Sequence, residues 1–532
     1  MRVYQVSGQG ETADSQRLPK MLILCNLAEA IHVLSNRIGS VPMRERLLLV
    51  AMVALAGIVS LAAPQKDVKR LDGSSITPDE IDGTVTRVMK AAEVPGLGLA
   101  VINSGEIAYL KAYGVRSKEQ NLPETADSVV YAASFTKVAF AYMVMQLVDK
   151  GRLDLDKPVY RYLPKPLPEY PNYTDLAGDP RYQRISPRML LSHTSGFPNW
   201  RAFEDDRKLK IHFAPGSRYA YSGEGLILLQ LVVETITRQP LEELMQQYVF
   251  RPLGMTRTNT VWQDRFDSDH AIGYDEYGRP LGAEKRKHAD AAGSMNTTLR
   301  DFARFMQAVL EGEGLSEKAR EQMLSPQIQI LSKHEFPTFE NETTDQNRPI
   351  RLSYGLGWGL YWTPYGRAFF KEGHADGWRN YTVCFDKKGT GIVIMTNSGN
   401  GEGIYKEILE RVQGNTFTPI VWEGFTPYNQ LPPRAPLPLH TQVHVDPNLL
   451  EKYVGRYGEP PNLILAVRRE GDHLSVQEND EPKQDVFPES EKVFFSKVSD
   501  DVLTFEIDRG GHVTTMVIHA GGRDIPIKRL EP

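Results

Sequence analysis

Apolar residues along this chain fall into three patterns, separated by glycines and prolines. The first is an unbroken run, LLLVAMVALAGIV, preceded by Arg44 and Arg46 and followed by the small residues Ser60, Ala62 and Ala63. A basic start, an apolar core and a small-residue exit make an export signal. An apolar stretch of about 17 residues is at the short limit for a membrane span. Residues 43–63 are therefore read as a signal peptide or signal anchor, and residues 1–42 as a non-native or disordered extension ahead of a natural start at Met43. The globular part is expected outside the cytoplasm, periplasmic or secreted. It touches a membrane only if the 47–63 segment is retained as an anchor.

The second pattern is strand-like. It occurs in GLGLAVINSG and EIAYLKAYGV, which are separated by the turn Ser104-Gly105. It returns in LSYGLGWGLYW, NYTVCFD and GIVIMTN. The third has helical spacing. A helix is predicted from Thr77-Pro78-Asp79, and another through Val138, Phe140, Met143, Val144 and Leu147, stopped by Gly151. GIYKEILERV predicts a last one near residue 413. Strands, a helix-rich stretch over 152–340, strands again and a closing helix predict one α+β domain over 75–413, its sheet drawn from both ends of the segment. Residues 414–445, with LPPRAPLPLH, read as a proline-rich linker. Residues 446–532 carry short alternating strands, including LILAVRRE, HLSVQE and VLTFEID, and predict a small closed or nearly closed β-barrel.

Composition narrows the function. The chain has 532 residues, 24% of them charged, and a net charge of −5. It offers no nucleic-acid surface. The densest basic cluster, GAEKRKHAD, reads as a solvated loop. Its two cysteines, Cys25 and Cys384, have no ligand spacing, and H-E-x-x-H is absent. No metal and no cofactor are expected.

Three short stretches carry chemistry. In YAASFTKVAF, Ser134 begins a helix and Lys137 lies one turn on, on the same face. A serine there is commonly an N-cap, but a cap does not explain the lysine. A buried lysine loses hydration, its pKa falls, and it can accept the serine's proton. In APGSRYAYSGEG, Tyr221 precedes a long apolar helix, where a neighbouring cation, Lys137, would lower its pKa. In FFKEGHADGWRNY, His374 sits between two glycines at a strand lip, where glycine allows a substrate to approach the backbone.

The order S-x-x-K, Y-S-x, G-H-x-x-G resembles that of the serine hydrolases related to class C β-lactamases and D-Ala-D-Ala carboxypeptidases. LLSHTSGFPNW, RPLGM, DAAGSMNTTLRDFARFM and YGLGWGLY fall in the family's order, so the likeness covers roughly 78–413. The β tail resembles a lipocalin-like appendage that some relatives carry. The resemblance implies a β-lactamase/penicillin-binding-protein-like fold, an antiparallel sheet with helices and a helical subdomain. It implies Ser134 as the acylated nucleophile, Lys137 as its activating partner and Tyr221 as proton shuttle. His374 takes the lysine-or-histidine place of the third motif, with Asp376 and Gly377 beside it on the substrate-binding edge. The N–H groups of Ser134 and of the strand near Gly377 form the oxyanion hole, and His193 is structural.

Two departures matter. Gly223 stands where the family's Y-x-N has asparagine, and Asp376 would repel a substrate carboxylate. The expected function is an exported serine hydrolase acting on small ester, amide or peptide substrates. An esterase or D-amino-acid amidase or peptidase fits better than an efficient β-lactamase. The alternative is a catalytically weak or inactive penicillin-binding-like protein serving as a binding module.

Overall fold

The computed structural model describes residues 67–530, apart from 284, 435, 461, 462, 480–482, 521 and 522. The expected signal, the extension ahead of it and Cys25 lie outside the described residues. Helix α1 (Pro78–Ala92) starts at a reciprocal cap: Thr77 Oγ1 accepts the Glu80 N–H while the Glu80 carboxylate accepts the Thr77 N–H. Strands β1 (Gly96–Asn103) and β2 (Glu106–Ser117) then pair through the turn at Ser104 and Gly105, both with positive φ.

After β3 (Leu122–Pro123) comes the helical insert. It contains α2 (Phe135–Asp149), α3 (Gly223–Thr237) and α4 (Leu299–Glu311). The chain returns to the sheet with β4 (Ile328–Gln329), β5 (Ser353–Tyr354), β6 (Gly359–Thr363), β7 (Gly366–Ala375), β8 (Trp378–Phe385) and β9 (Thr390–Thr396). The sheet order is β3-β2-β1-β9-β8-β7-β6-β5-β4, so the two ends of the segment meet where β1 pairs with β9.

Both central strands are buried on both faces, which is why they read as near-continuous apolar runs. Alternation divides their side chains between two cores. Ala100, Ile102, Val393 and Met395 face α2 and α4, whereas Leu99, Val101, Ile392 and Ile394 join Ile81, Val85 and Val88 of α1. The predicted α+β order is present.

The expected linker is shorter than its prolines suggested. Ile420, Trp422 and Phe425 bury against the sheet domain, and Tyr381 Oη donates to Glu423 Oε2 at 3.0 Å. Apolar residues between the prolines keep this stretch folded as far as Tyr428.

The C-terminal unit has eight antiparallel strands in sequential order, β10 (Gly455–Glu459) to β17 (Arg523–Lys528). A bridge between Tyr457 and Arg529 brings its two edges together. Leu450, Tyr453, Tyr457, Phe494 and Phe505 fill its interior, with the Tyr453 and Phe505 rings stacked at 4.3 Å. Arg279 of the sheet domain pairs with Asp500 of the barrel at 3.1 Å.

Candidate active site

Residues 130–134 form a strand-to-helix turn clamped from two sides. Tyr131 pairs with Asn296, the Ala132 N–H donates to the Met295 carbonyl, and Asn380 Nδ2 donates to the Tyr131 carbonyl. Ala133 has φ +48°, a left-handed conformation that costs a non-glycine residue about 1–3 kcal/mol. The turn delivers Ser134 to the N-cap position of α2. Its side chain makes no capping hydrogen bond, so the ordinary helix-start reading is set aside.

Instead, Lys137 Nζ lies 3.0 Å from Ser134 Oγ. The same nitrogen donates to the Ala292 carbonyl at 2.5 Å, which fixes its direction. Helix α2 is buried on every side because it runs between the sheet and the other helices of the insert, and Lys137 is buried with it. Loss of hydration, reinforced by the charge of Lys371, lowers its pKa to about 7.

Tyr221 sits at the entrance to α3. Ser222 caps that helix by accepting the Gly225 N–H, and it donates to the Pro198 carbonyl. His193, itself at φ +54°, accepts the Ser222 N–H at 3.2 Å through Nδ1, and its carbonyl accepts the Ala220 N–H. Its ring lies 4.5 Å from that of Tyr221, and burial holds it neutral. This is a structural role, as expected from the sequence.

The predicted lowering of the Tyr221 pKa is overturned. Burial and the charge of Glu372 push it well above its ordinary value, so the phenol keeps its proton. The Tyr221 ring is flanked by Lys137 Nζ at 5.0 Å and by Lys371 Nζ at 4.7 Å.

Lys371 is the residue that sequence reasoning missed. It lies on β7 with the parity of Phe369, facing the core that contains α2, and it is 1% exposed. Glu372 forms an ion pair with it. Gly373 packs against the Ala132 carbonyl, where a β-carbon would come within 2.6 Å. Lys371, Glu372 and Gly373 thus lie beside the Ser134 turn.

His374 points elsewhere. Its side chain is 51% exposed and pairs with Glu402 at 3.3 Å. Asp376 is exposed in the β7–β8 turn, and Gly377, at φ +73°, packs that turn against Tyr274 and Leu281. The structure therefore gathers Ser134, Lys137 and Tyr221, and leaves His374, Asp376 and Gly377 at the end of β7 and in the turn that follows it.

Two aromatic residues border the site. A β-carbon on Gly223 would meet the Trp200 ring at 2.7 Å, so Trp200 occupies the space an asparagine would need. Phe336, 47% exposed, packs its ring 5.6 Å from Tyr221. Strand β6 pairs with β7 only as far as Phe370, so Lys371 to Ala375 have a ladder partner on β8 alone.

This arrangement of sheet, buried helix and serine–lysine pair is the fold of β-lactamases and penicillin-binding proteins. The model of the β-lactamase family matches residues 81–415, and the protein belongs to that family, whose members are serine hydrolases. A second model, for a domain of unknown function (DUF3471), matches residues 439–529.

The chain is 22% identical over 464 residues to penicillin-binding protein 4* of Bacillus subtilis (strain 168), covering 80% of this chain and 93% of that protein. It is 31% identical over 211 residues to esterase EstB of Burkholderia gladioli, covering 35% and 52%. The octameric penicillin-binding protein homologue from Pyrococcus abyssi superposes with a TM-score of 0.53 at 20% identity, covering 85% of this chain and 100% of that one. At that identity the likeness is one of fold.

Proposed function

We propose that the protein is an exported serine hydrolase that cleaves small esters or amides through an acyl-enzyme on Ser134. The observation that carries this is the 3.0 Å approach of Lys137 Nζ to Ser134 Oγ, with that lysine's pKa lowered to about 7. A neutral Lys137 takes the serine proton as Oγ attacks the substrate's carbonyl carbon. Tyr221, held protonated, gives its proton to the leaving oxygen or nitrogen and regains one from the Lys137 ammonium. Water then releases the acyl group by the reverse relay.

The N–H groups of Ser134 and of the free edge of β7 would hold the oxyanion. In this reading Lys371-Glu372-Gly373 supplies the third motif. The role moves from His374 because Lys371 is the β7 cation beside Tyr221. His374, Asp376 and Gly377 remain as the rim that a longer substrate meets. Likeness to an esterase supports the ester class. Gly223, with Trp200 in the place of an amide, weighs against efficient β-lactam turnover. Export rests on the 43–63 pattern.

The test compares the full chain with its Ser134→Ala variant on a small phenyl ester, a D-alanyl amide and a cephalosporin. Ester or amide turnover that the variant lacks, with an acyl mass on Ser134, is expected. Rapid cephalosporin hydrolysis, or turnover that survives Ser134→Ala, would refute the reading.

A further inference from the structure

We infer that Glu372 sets the charge class of the substrate: by pairing with Lys371 inside the site, it prevents that lysine from receiving a carboxylate. The inference rests on the proposed hydrolase reading and narrows its substrates to those without an anionic group beside the scissile bond.

Lys371 is the second lysine whose nitrogen lies against Tyr221, at 4.7 Å from its ring, and it comes from the strand that packs beside the Ser134 turn and has a ladder partner on β8 alone from Lys371 onward. Unpaired, a cation so placed would draw a substrate anion toward the reacting centre. Its partner is the next residue in the chain, and both side chains are buried, at 1% and 10% exposure. A buried ammonium needs such a partner, because an uncompensated charge there is strongly destabilising.

The other carboxyls nearby are already engaged. Tyr219 Oη donates to Glu335 Oε1 at 2.8 Å and Tyr381 Oη donates to Glu423 Oε2 at 3.0 Å. Burial and the charge of Glu372 raise both their pKa values, that of Glu335 to about 8. Lys137 is committed to Ser134 and Ala292, and His193 to Ser222. Glu372 alone forms an ion pair with Lys371 among the described residues.

The experiment uses two acetyl esters, 4-acetoxybenzoate and methyl 4-acetoxybenzoate, which differ by one negative charge on the leaving group. Each kcat/KM is divided by the rate of alkaline hydrolysis of the same ester. The wild type is expected to favour the methyl ester. Glu372→Gln, an isosteric change, should shift the ratio toward the carboxylate by about tenfold, mainly through KM, as one freed charge contact would. Glu372→Asp keeps the anion and should keep the wild-type ratio.

A folded Glu372→Gln enzyme with a ratio within twofold of wild type would overturn the inference. So would a wild type that prefers the carboxylate ester. Should Glu372→Gln fail to fold, inhibition of the wild type by benzoate and benzamide decides instead. Weaker inhibition by benzoate supports the inference, and equal or stronger inhibition overturns it. Ser134→Ala separates the two readings: turnover that survives it refutes the hydrolase mechanism, whereas an unchanged ratio with Ser134 essential refutes only the role of Glu372.

Discussion

The interior of the sheet domain and the interior of the barrel are built to different rules. Around Ser134 the protein buries Lys137, Lys371, His193, Glu335, Glu372 and Glu423. In the barrel, the buried polar residues among those described are Ser475 and Ser496, and the rest of the interior is aliphatic side chains, methionine and aromatic rings. Burying charge costs several kcal/mol per group and is tolerated where pairs compensate it. Perturbed groups of this kind concentrate where chemistry is done. The contrast supports assigning the proposed chemistry to the sheet domain. It leaves the barrel to contribute through its surface, as at the Arg279–Asp500 pair.

The sharpest test of this contrast is the loss expected on each side. Ser134→Ala should lower ester turnover by about 10³-fold or more, as removal of an acylated nucleophile does. Phe505→Ala in the barrel should cost about 3–5 kcal/mol of stability. It should lower the barrel's thermal transition while turnover per folded molecule at 25 °C stays near wild type. If Phe505→Ala removed turnover from still-folded protein, the division of labour would be wrong.

A smaller effect is expected at Gly223. Gly223→Asn drives a side chain into Trp200, and overpacking of this kind costs about 1–3 kcal/mol. Adding Trp200→Ala should restore stability, read by chemical denaturation; a Gly223→Asn variant as stable as wild type would remove Trp200 from its assigned place.

The smallest effect is in pH dependence. In the proposed mechanism Lys137 works only when neutral, and its pKa is lowered to about 7. Below that value the protonated fraction grows, so kcat/KM for a neutral ester should fall about tenfold per pH unit. Above it, kcat/KM should level off. A profile flat from pH 5 to 8 would mean that another group is the base.

Much of this was legible in the sequence. Strand alternation and helical spacing were sufficient for the α+β order and the barrel, because each element buries a definite face. Ser134 and Lys137 could be paired because a helix brings positions three apart onto one side. The third motif could not be read the same way. KEGHADG offers two candidate cations and two candidate glycines. Only the pairing of Phe369 with Cys384, and hence the parity of Lys371, decides which cation faces α2.

The direction of the Tyr221 shift was equally hidden. The carboxyls that raise it, Glu335 and Glu372, come from distant parts of the chain. A neighbouring lysine was visible, but its own burial and pairing were not. Trp200 in the space beside Gly223 is likewise a contact between segments with no local pattern to announce it.

The early end of β6, at Gly359 opposite Phe370, has a consequence for what the enzyme can admit. An unpaired strand edge exposed on a surface recruits other chains indiscriminately. Here the unpaired length runs only from Lys371 to Ala375, and it lies beside the Ser134 turn. In the proposed function such an edge would act as a gauge of shape, admitting a ligand that can lie extended for a few atoms, whatever its side groups, and turning away folded chains by their bulk.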